Sequence, residues 1–103
     1  MSFSQTSKDI QLHDGKTLSA HCEVAGGGNF VPSRLDLDTC LGNIDGHFRW
    51  GEKNFSQSAR SVKLQGVELK GDLHSADGKE WKHATVDLDQ HIANIDGQLK
   101  YKK

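Results

Sequence analysis

The stretch Asp36-Leu37-Asp38-Thr39-Cys40-Leu41-Gly42-Asn43-Ile44-Asp45-Gly46-His47-Phe48-Arg49-Trp50 returns as Asp87-Leu88-Asp89-Gln90-His91-Ile92-Ala93-Asn94-Ile95-Asp96-Gly97-Gln98-Leu99-Lys100-Tyr101. At this offset of 51, seven of the fifteen positions are identical, and Leu/Ile, Gly/Ala, Phe/Leu, Arg/Lys and Trp/Tyr pairs keep their character at five more. Further out, Phe3-Ser4-Gln5-Thr6 recurs as Phe55-Ser56-Gln57-Ser58, while Ile10 and Leu12 are answered by Val62 and Leu64, now at an offset of 52. The 103 residues are therefore one unit written twice, over about 1–51 and 52–103. Such a unit buries too little surface to stand alone, and two copies are too few for a solenoid, so one domain spanning 1–103 with a shared core is expected. The connector Gly51-Glu52-Lys53-Asn54 is short enough for the halves to pair between two chains as well. A monomer is the expectation and a domain-swapped dimer its alternative.

Within each copy the apolar residues alternate with polar ones. Leu18, Ala20, Cys22 and Val24 interleave with Thr17, Ser19, His21 and Glu23, as Val67, Leu69, Gly71 and Leu73 do with Glu68, Lys70, Asp72 and His74. A period of two means a strand with one buried face. Leu35 and Leu37, like Val86 and Leu88, carry the pattern into a second strand. Asn43-Ile44-Asp45-Gly46 and Asn94-Ile95-Asp96-Gly97 then supply hairpin-turn chemistry before Phe48 and Trp50, or Leu99 and Tyr101, resume the alternation. Each copy thus reads as about three strands, the last two a hairpin, opened by a helical turn at Ser4–Thr6 or Ser56–Ser58. The fold class is all-β.

Composition excludes several function classes. Thirteen Lys and Arg against fourteen Asp and Glu leave a net charge of -1, so no long-range field draws the chain to nucleic acid or to anionic lipid. No stretch approaches the apolar length of a membrane span, so no membrane insertion is expected. Met1-Ser2-Phe3-Ser4-Gln5 has neither the basic nor the apolar region of a secretory signal. A cytoplasmic location is the expectation, with unconventional export left open. Cys22 shares its face with Leu18, Ala20 and Val24, which suits a buried, reduced thiol.

The candidate motifs each have a plain structural reading. Asn-x-Asp-Gly is a turn in which Asn and Asp cap their own backbone; the same side chains can also grip neighbouring hydroxyls of a polar ligand. Asp36-x-Asp38 and Asp87-x-Asp89 resemble metal-nucleotide aspartates only superficially and fit a solvated strand face. His13, His21, His47, His74, His83 and His91 lack the i, i+4 spacing of a helical zinc site, and no nucleophile elbow exists. Asn54-Phe55-Ser56 is formally a glycosylation acceptor, with no signal to route it to one. No catalytic residue, metal or cofactor is expected.

With its duplicated Phe-Ser-Gln openings, Cys22-Glu23, Asp36-Leu37, the two Asn-x-Asp-Gly turns, Phe48-x-Trp50, Asn54-Phe55 and the ending from Asp89 to Tyr101, the chain resembles the cyanovirin-N homology family of mannose-binding lectins. The resemblance covers nearly the whole chain. It implies a cyanovirin-N-like fold with pseudo-two-fold symmetry: two triple-stranded antiparallel sheets with β-hairpins and short helical turns, and a sugar site near each end. It implies a non-enzymatic protein without cofactor or metal, whose partners are oligomannose glycans or glycoproteins ending in α1-2-linked mannose. Carried over by position, one site would use Ser2, Gln5, Thr6, Glu23, Ala25, Asn94, Ile95 and Asp96. The other would use Gly42, Asn43, Ile44, Asp45, Lys53, Asn54, Gln57, Ser58, His74, Ser75 and Ala76.

This second site departs more from the family pattern. Gly42 stands where an acidic contact is common and Ala76 where an arginine can close over the sugar, and losing an Arg removes several directed donors at once. A weaker or altered second site is expected. Some relatives carry a disulfide in each half, but Ser7 faces Cys22 here, and Ala59 and Leu73 hold the other pair's positions, so neither bridge can form and Cys40 is left as a free thiol. A protein–protein interaction module on the same fold, with sugar binding faded, is the alternative function; an enzyme acting on glycans lacks any place for the paired carboxylates it needs.

Overall fold

The computed structural model describes residues 2–103, and every regular element in it is a strand or a 3-10 turn of three or four residues. Strands β1 (Ser7–His13), β2 (Thr17–Glu23) and β3 (Phe30–Asp36) form an antiparallel sheet, followed by the hairpin of β4 (Leu41–Ile44) and β5 (His47–Trp50). The second repeat follows the same course: β6 (Ala59–Gln65), β7 (Glu68–His74) and β8 (Trp81–Asp87) form the second sheet, and β9 (Ile92–Ile95) pairs with β10 (Gln98–Tyr101). Each copy therefore has five strands rather than the three that alternation suggests. The pattern hides β1 and β6, and it runs β3 into β4 and β8 into β9 across the breaks at Leu37–Thr39 and Leu88–Gln90. The β1–β2 register slips between Lys8 and Gln11 and the β6–β7 register between Arg60 and Lys63, because Asp9 and Ser61 sit at φ 54 and 53 in matching bulges. A bulge puts two residues opposite one, so the period of two breaks where it occurs.

The copies exchange their hairpins. β9–β10 lies against β3 of the first sheet, with the Leu99 amide donating to Ser33 Oγ at 3.0 Å, and β4–β5 lies against β8 of the second. The molecule is elongated, 49 × 23 × 16 Å, with its interior duplicated like its sequence. Phe3 and Phe55, Leu18 and Leu69, Leu37 and Leu88, Leu41 and Ile92, and Cys22 and Leu73 are equivalent pairs, and all are fully buried. Each such side chain contributes about 1.5–3 kcal/mol by leaving water. Trp50 and Tyr101, equivalent residues of the two hairpins, stack on one another at 5.9 Å between ring centroids and 11° between planes. No helix among the described residues is long and apolar enough to cross a membrane.

Asp36 and Asp87 are exposed at the ends of β3 and β8, as a solvated strand face requires, but Asp38 and Asp89 do not lie on a strand. Leu37–Thr39 and Leu88–Gln90 are 3-10 turns, with Asp36 and Asp87 as caps accepting from the amides of Asp38 at 3.0 Å and Asp89 at 2.9 Å. The second aspartate of each pair reaches across the fold: Asp38 accepts from the amide (3.0 Å) and hydroxyl of Ser56, and Asp89 from the amide (3.1 Å) and hydroxyl (2.5 Å) of Ser4. Each carboxylate thereby anchors the 3-10 turn that opens a sheet. Extended backbone at these sites would point the aspartates away from those serines; the turn lets Leu37 and Leu88 enter the core while the carboxylates face sideways.

Both cysteines are free and buried. Ser7 lies opposite Cys22, its hydroxyl donating to the sulfur at 3.5 Å, and Ala59 lies opposite Leu73. Burial pushes the Cys40 thiol from 9.0 up to about 11, helped by the charges of Asp36 and Asp38 and opposed by a hydrogen bond with Thr39.

Replacing Asp89 by Ala leaves two donors on Ser4 without their acceptor and should cost about 1–3 kcal/mol, read as a lower urea midpoint at constant slope. Asp38→Ala should cost a similar amount; losses below about 0.5 kcal/mol in both would sink the anchoring role. A second outcome follows from the raised Cys40 value. Its contribution to stability is complete below pH 9.0 and lost as pH rises toward about 11, because the unfolded thiol ionises first. Urea curves at about pH 8 and about pH 10.5 should show that loss in the parent protein and a smaller one in Cys40→Ala. Equal losses would rule it out.

Candidate functional site

The two Asn-x-Asp-Gly turns end opposite hairpins and are built alike. Asp45 and Gly46 take φ of 52 and 85, and Asp96 and Gly97 take 51 and 87, the paired positive values of a two-residue type I′ turn that Asp-Gly tolerates. The asparagine ahead of each turn accepts from the glycine amide through Oδ1, at 2.8 Å in both. Its amide nitrogen points the other way, onto the neighbouring sheet. Asn94 Nδ2 donates to Thr6 Oγ1 (2.9 Å) and the Glu23 carbonyl (2.9 Å); Asn43 Nδ2 donates to Ser58 Oγ (2.8 Å) and the His74 carbonyl (2.9 Å). The asparagine donors that the sequence offered to a ligand are thus spent holding each hairpin to the end of a sheet.

What each turn offers outward is its aspartate and the exposed isoleucine before it. Asp96 Oδ1 accepts from the Ala25 amide at 3.0 Å, and Asp45 Oδ1 from the Ala76 amide at 2.9 Å. Ile95 and Ile44 stand 39% and 44% exposed. At the first turn, Glu23 Oε2 accepts from the Gly28 amide at 3.2 Å and shapes the loop that carries Ala25. Gln5 and Thr6 are exposed on the 3-10 turn Phe3–Thr6, and the carbonyl of Ser2 accepts from the Gln5 amide at 3.3 Å. Direct bonds therefore join Thr6 and Glu23 to Asn94, and Ala25 to Asp96; Ile95 lies between Asn94 and Asp96 in the chain, and Ser2 and Gln5 make no side-chain bond to these residues.

The second turn opens onto a shallow pocket of about 510 Å³ lined by Asn43, Ile44, Asp45, Ser58, His74, Ser75, Ala76 and Gly78. Seven of these are residues marked by the sequence; Gly42, Lys53, Asn54 and Gln57 are not among the lining. Gly42 is buried, and a Cβ added to it would strike the Glu52 side chain and lie 3.1 Å from the Lys53 amide nitrogen. It is a packing glycine beneath the connector. Asn54 adopts φ 67 and donates its amide to the Asp38 carbonyl at 2.9 Å, and its carbonyl accepts from the Gln57 amide at 3.2 Å. In the flanking loop, Asp77 accepts from Ser75 Oγ (2.6 Å) and the Lys79 amide (2.9 Å), bonds that hold its carboxyl below the usual range.

Two features of the second turn escaped sequence reasoning. Gly46 packs against the Lys82 side chain, whose Cδ would lie 2.6 Å from an added Cβ, and Lys82 Nζ comes to 3.8 Å of Asp45 Oδ2. At the first turn the equivalent neighbour of Gly97 is Val31, which carries no charge. Aligning the copies at the offset of 51 would have exposed this exchange. The other feature is an aromatic cluster: His74 stacks on Trp81 at 4.2 Å and 16°, and the Arg60 guanidinium lies over the indole at 4.1 Å. No group of three or more potential metal-ligating side chains occurs among the described residues.

The CVNH domain family matches residues 3–100. A cyanovirin-N homolog of Tuber borchii is 39% identical over 99% of this chain and 100% of its own length, and its solved structure superimposes with a TM-score of 0.85. Microvirin, solved as a mannobiose complex, is 33% identical with a TM-score of 0.83 over 97% of both chains. A variant of MoCVNH3, solved in complex with (N-GlcNAc)4, is 28% identical with a TM-score of 0.85 over 96% of this chain and 95% of its own. Duplicated sheets, exchanged hairpins and twin Asp-Gly turns together with these matches lead to one conclusion: the chain belongs to the CVNH family of cyanovirin-N homologs.

Proposed function

We propose that the protein is a non-catalytic, single-domain lectin that binds oligomannose glycans and glycoproteins through α1-2-linked mannose termini at its two hairpin turns, the first turn binding more tightly. The observation that carries this reading is the state of Asp96. Its Oδ1 is fixed by the Ala25 amide on a turn pinned by Asn94, while Oδ2 has no partner among the described residues. A carboxylate held in this way with free lone pairs, on a turn whose Asn94 is bonded to Thr6, can accept from neighbouring sugar hydroxyls without being reorganised first. A site built to pair with hydroxyls discriminates strongly against sugars that leave its groups unpaired. Membership of the CVNH family supports the sugar as ligand, as do microvirin with mannobiose and the MoCVNH3 variant with (N-GlcNAc)4.

At the second turn, Asp45 shares its outer oxygen with Lys82. The ion pair is half exposed and adds little stability. It still places an ammonium where a hydroxyl would donate. This gives the second turn a reason for weaker binding beyond Gly42 and Ala76. Two such sites on one molecule gain avidity on a clustered glycan if both can engage it.

Titration with α1-2-mannobiose, followed by backbone amide shifts, should move Ala25, Ile95, Asp96 and Gly97 first and the second turn later. Asp96→Asn keeps an acceptor for the Ala25 amide but removes the charge, and should weaken the first turn about tenfold while leaving the second unchanged. Lys82→Val should tighten the second turn. Silence at both turns at millimolar sugar would refute the lectin reading, and capture of a protein partner in its place would favour an interaction module.

A further inference from the structure

The outer face of the first sheet carries a groove that the sugar turns do not use. Cross-strand partners share a face, so the pairings Lys8–His21, Gln11–Ser19, Ser19–Arg34, His21–Pro32 and Glu23–Phe30 place these residues on one side, opposite the buried Leu18, Ala20 and Cys22. The bulge at Asp9 raises that residue beside His21, with 3.2 Å between Oδ2 and Nδ1. Between this raised edge and β3 lies a concavity of about 500 Å³, similar in size to the pocket at the second turn, with Gln11, His13, Ser19, His21 and Arg34 among its walls.

The polar groups of this face are unevenly matched. Each acid has a partner: Asp9 faces His21, Glu23 accepts from the Gly28 amide, and Asp36 accepts from the Asp38 amide. Lys8 sits over the Phe30 ring at 4.3 Å, and exposed Arg34 makes no ion pair or hydrogen bond among the described residues. His13 and Ser19 face one another at 2.7 Å, and Gln11 adds an amide. The equivalent face of the second sheet is paired differently. There Asp72 lies 3.7 Å from Arg60 and 3.5 Å from His83, Lys70 lies 3.4 Å from Glu68, and Thr85 stands opposite Lys70 where Arg34 stands opposite Ser19.

A guanidinium presents several donors in a fixed plane that matches the oxygens of a carboxylate, sulfate or phosphate. We infer that this groove is an oxyanion site, with Arg34 supplying the charge and Gln11, His13 and Ser19 the surrounding hydrogen bonds. Its ligand is a small oxyanion, free or carried on an acidic saccharide. The inference is independent of hydroxyl recognition at the turns, since no residue of the groove belongs to them. Geometry nevertheless links the two. Glu23 lies four residues along β2 from Ser19, about 13 Å at strand spacing, so a chain held at the first turn can reach the groove.

The test is an amide-shift titration at low ionic strength with sodium sulfate, glucuronate and glucose. Saturable shifts at Ser19, His21 and Arg34 are expected with sulfate and glucuronate and not with glucose, with Arg34→Gln raising the half-saturating concentration about tenfold. Equal responses to sulfate and glucuronate would assign the site to the anionic group alone. Tighter glucuronate binding would add the sugar ring to what is recognised. Shifts that never saturate, or that survive Arg34→Gln unchanged, would overturn the inference. Arg34 is exposed and unpaired, so an unaltered urea midpoint is expected for that variant.

Discussion

Two carboxylates, Asp38 and Asp89, hold the architecture in its exchanged form. Each leaves the end of one three-stranded sheet and takes the amide and hydroxyl of the serine that opens a sheet, Ser56 or Ser4. Hydrogen bonds to a charged acceptor are stronger than neutral ones, and these are part-buried, where their loss leaves donors unpaired. They fix the direction of the 3-10 turns, and with them the entry of Phe3, Phe55, Leu37 and Leu88 into the core. The asparagines then seat the hairpins on the sheet ends so fixed. Everything a ligand meets at either turn rests on this succession of hydrogen bonds, with no disulfide to share the task.

How far the chain could be read without its structure follows from which signals are local. Duplication, alternation in β2 and β7, and the Asp-Gly turns are properties of neighbouring residues, and the structure repeats them closely. The Ser7–Cys22 and Ala59–Leu73 pairings were implied by the resemblance to the family rather than by any strand pattern, and the strand registers agree with them. Strands β1 and β6 were not, because a bulge destroys the very period that identifies a strand. Nor were the roles of Asp38 and Asp89, because an aspartate in sequence looks the same whether it faces water or a serine 18 or 85 positions away.

The site was legible in its residue types and less so in their duties. Asn43 and Asn94 look like ligand-gripping amides, yet their donors are consumed by Ser58, His74, Thr6 and Glu23. Gly42, read from the sequence as a lost contact, is also the floor on which the connector lies. Conversely Lys82, unremarked in the sequence, sits against the second turn where Val31 sits against the first. Duplicated folds keep their cores alike because equivalent residues solve the same packing problem; the rims drift because solvent tolerates exchange there.

The bonds that define the two turns differ greatly in sequence separation. Asn43 reaches partners 15 and 31 residues away, whereas Asn94 reaches partners 71 and 88 residues away. Closing a longer loop costs more chain entropy and takes longer to find, so the second turn can assemble while much of the chain is still searching, and the first must wait for the strands between to settle. In a growing or partly opened chain the two ends are thus not twins: one is an early, locally insured structure, and the other registers that the whole polypeptide has closed upon itself.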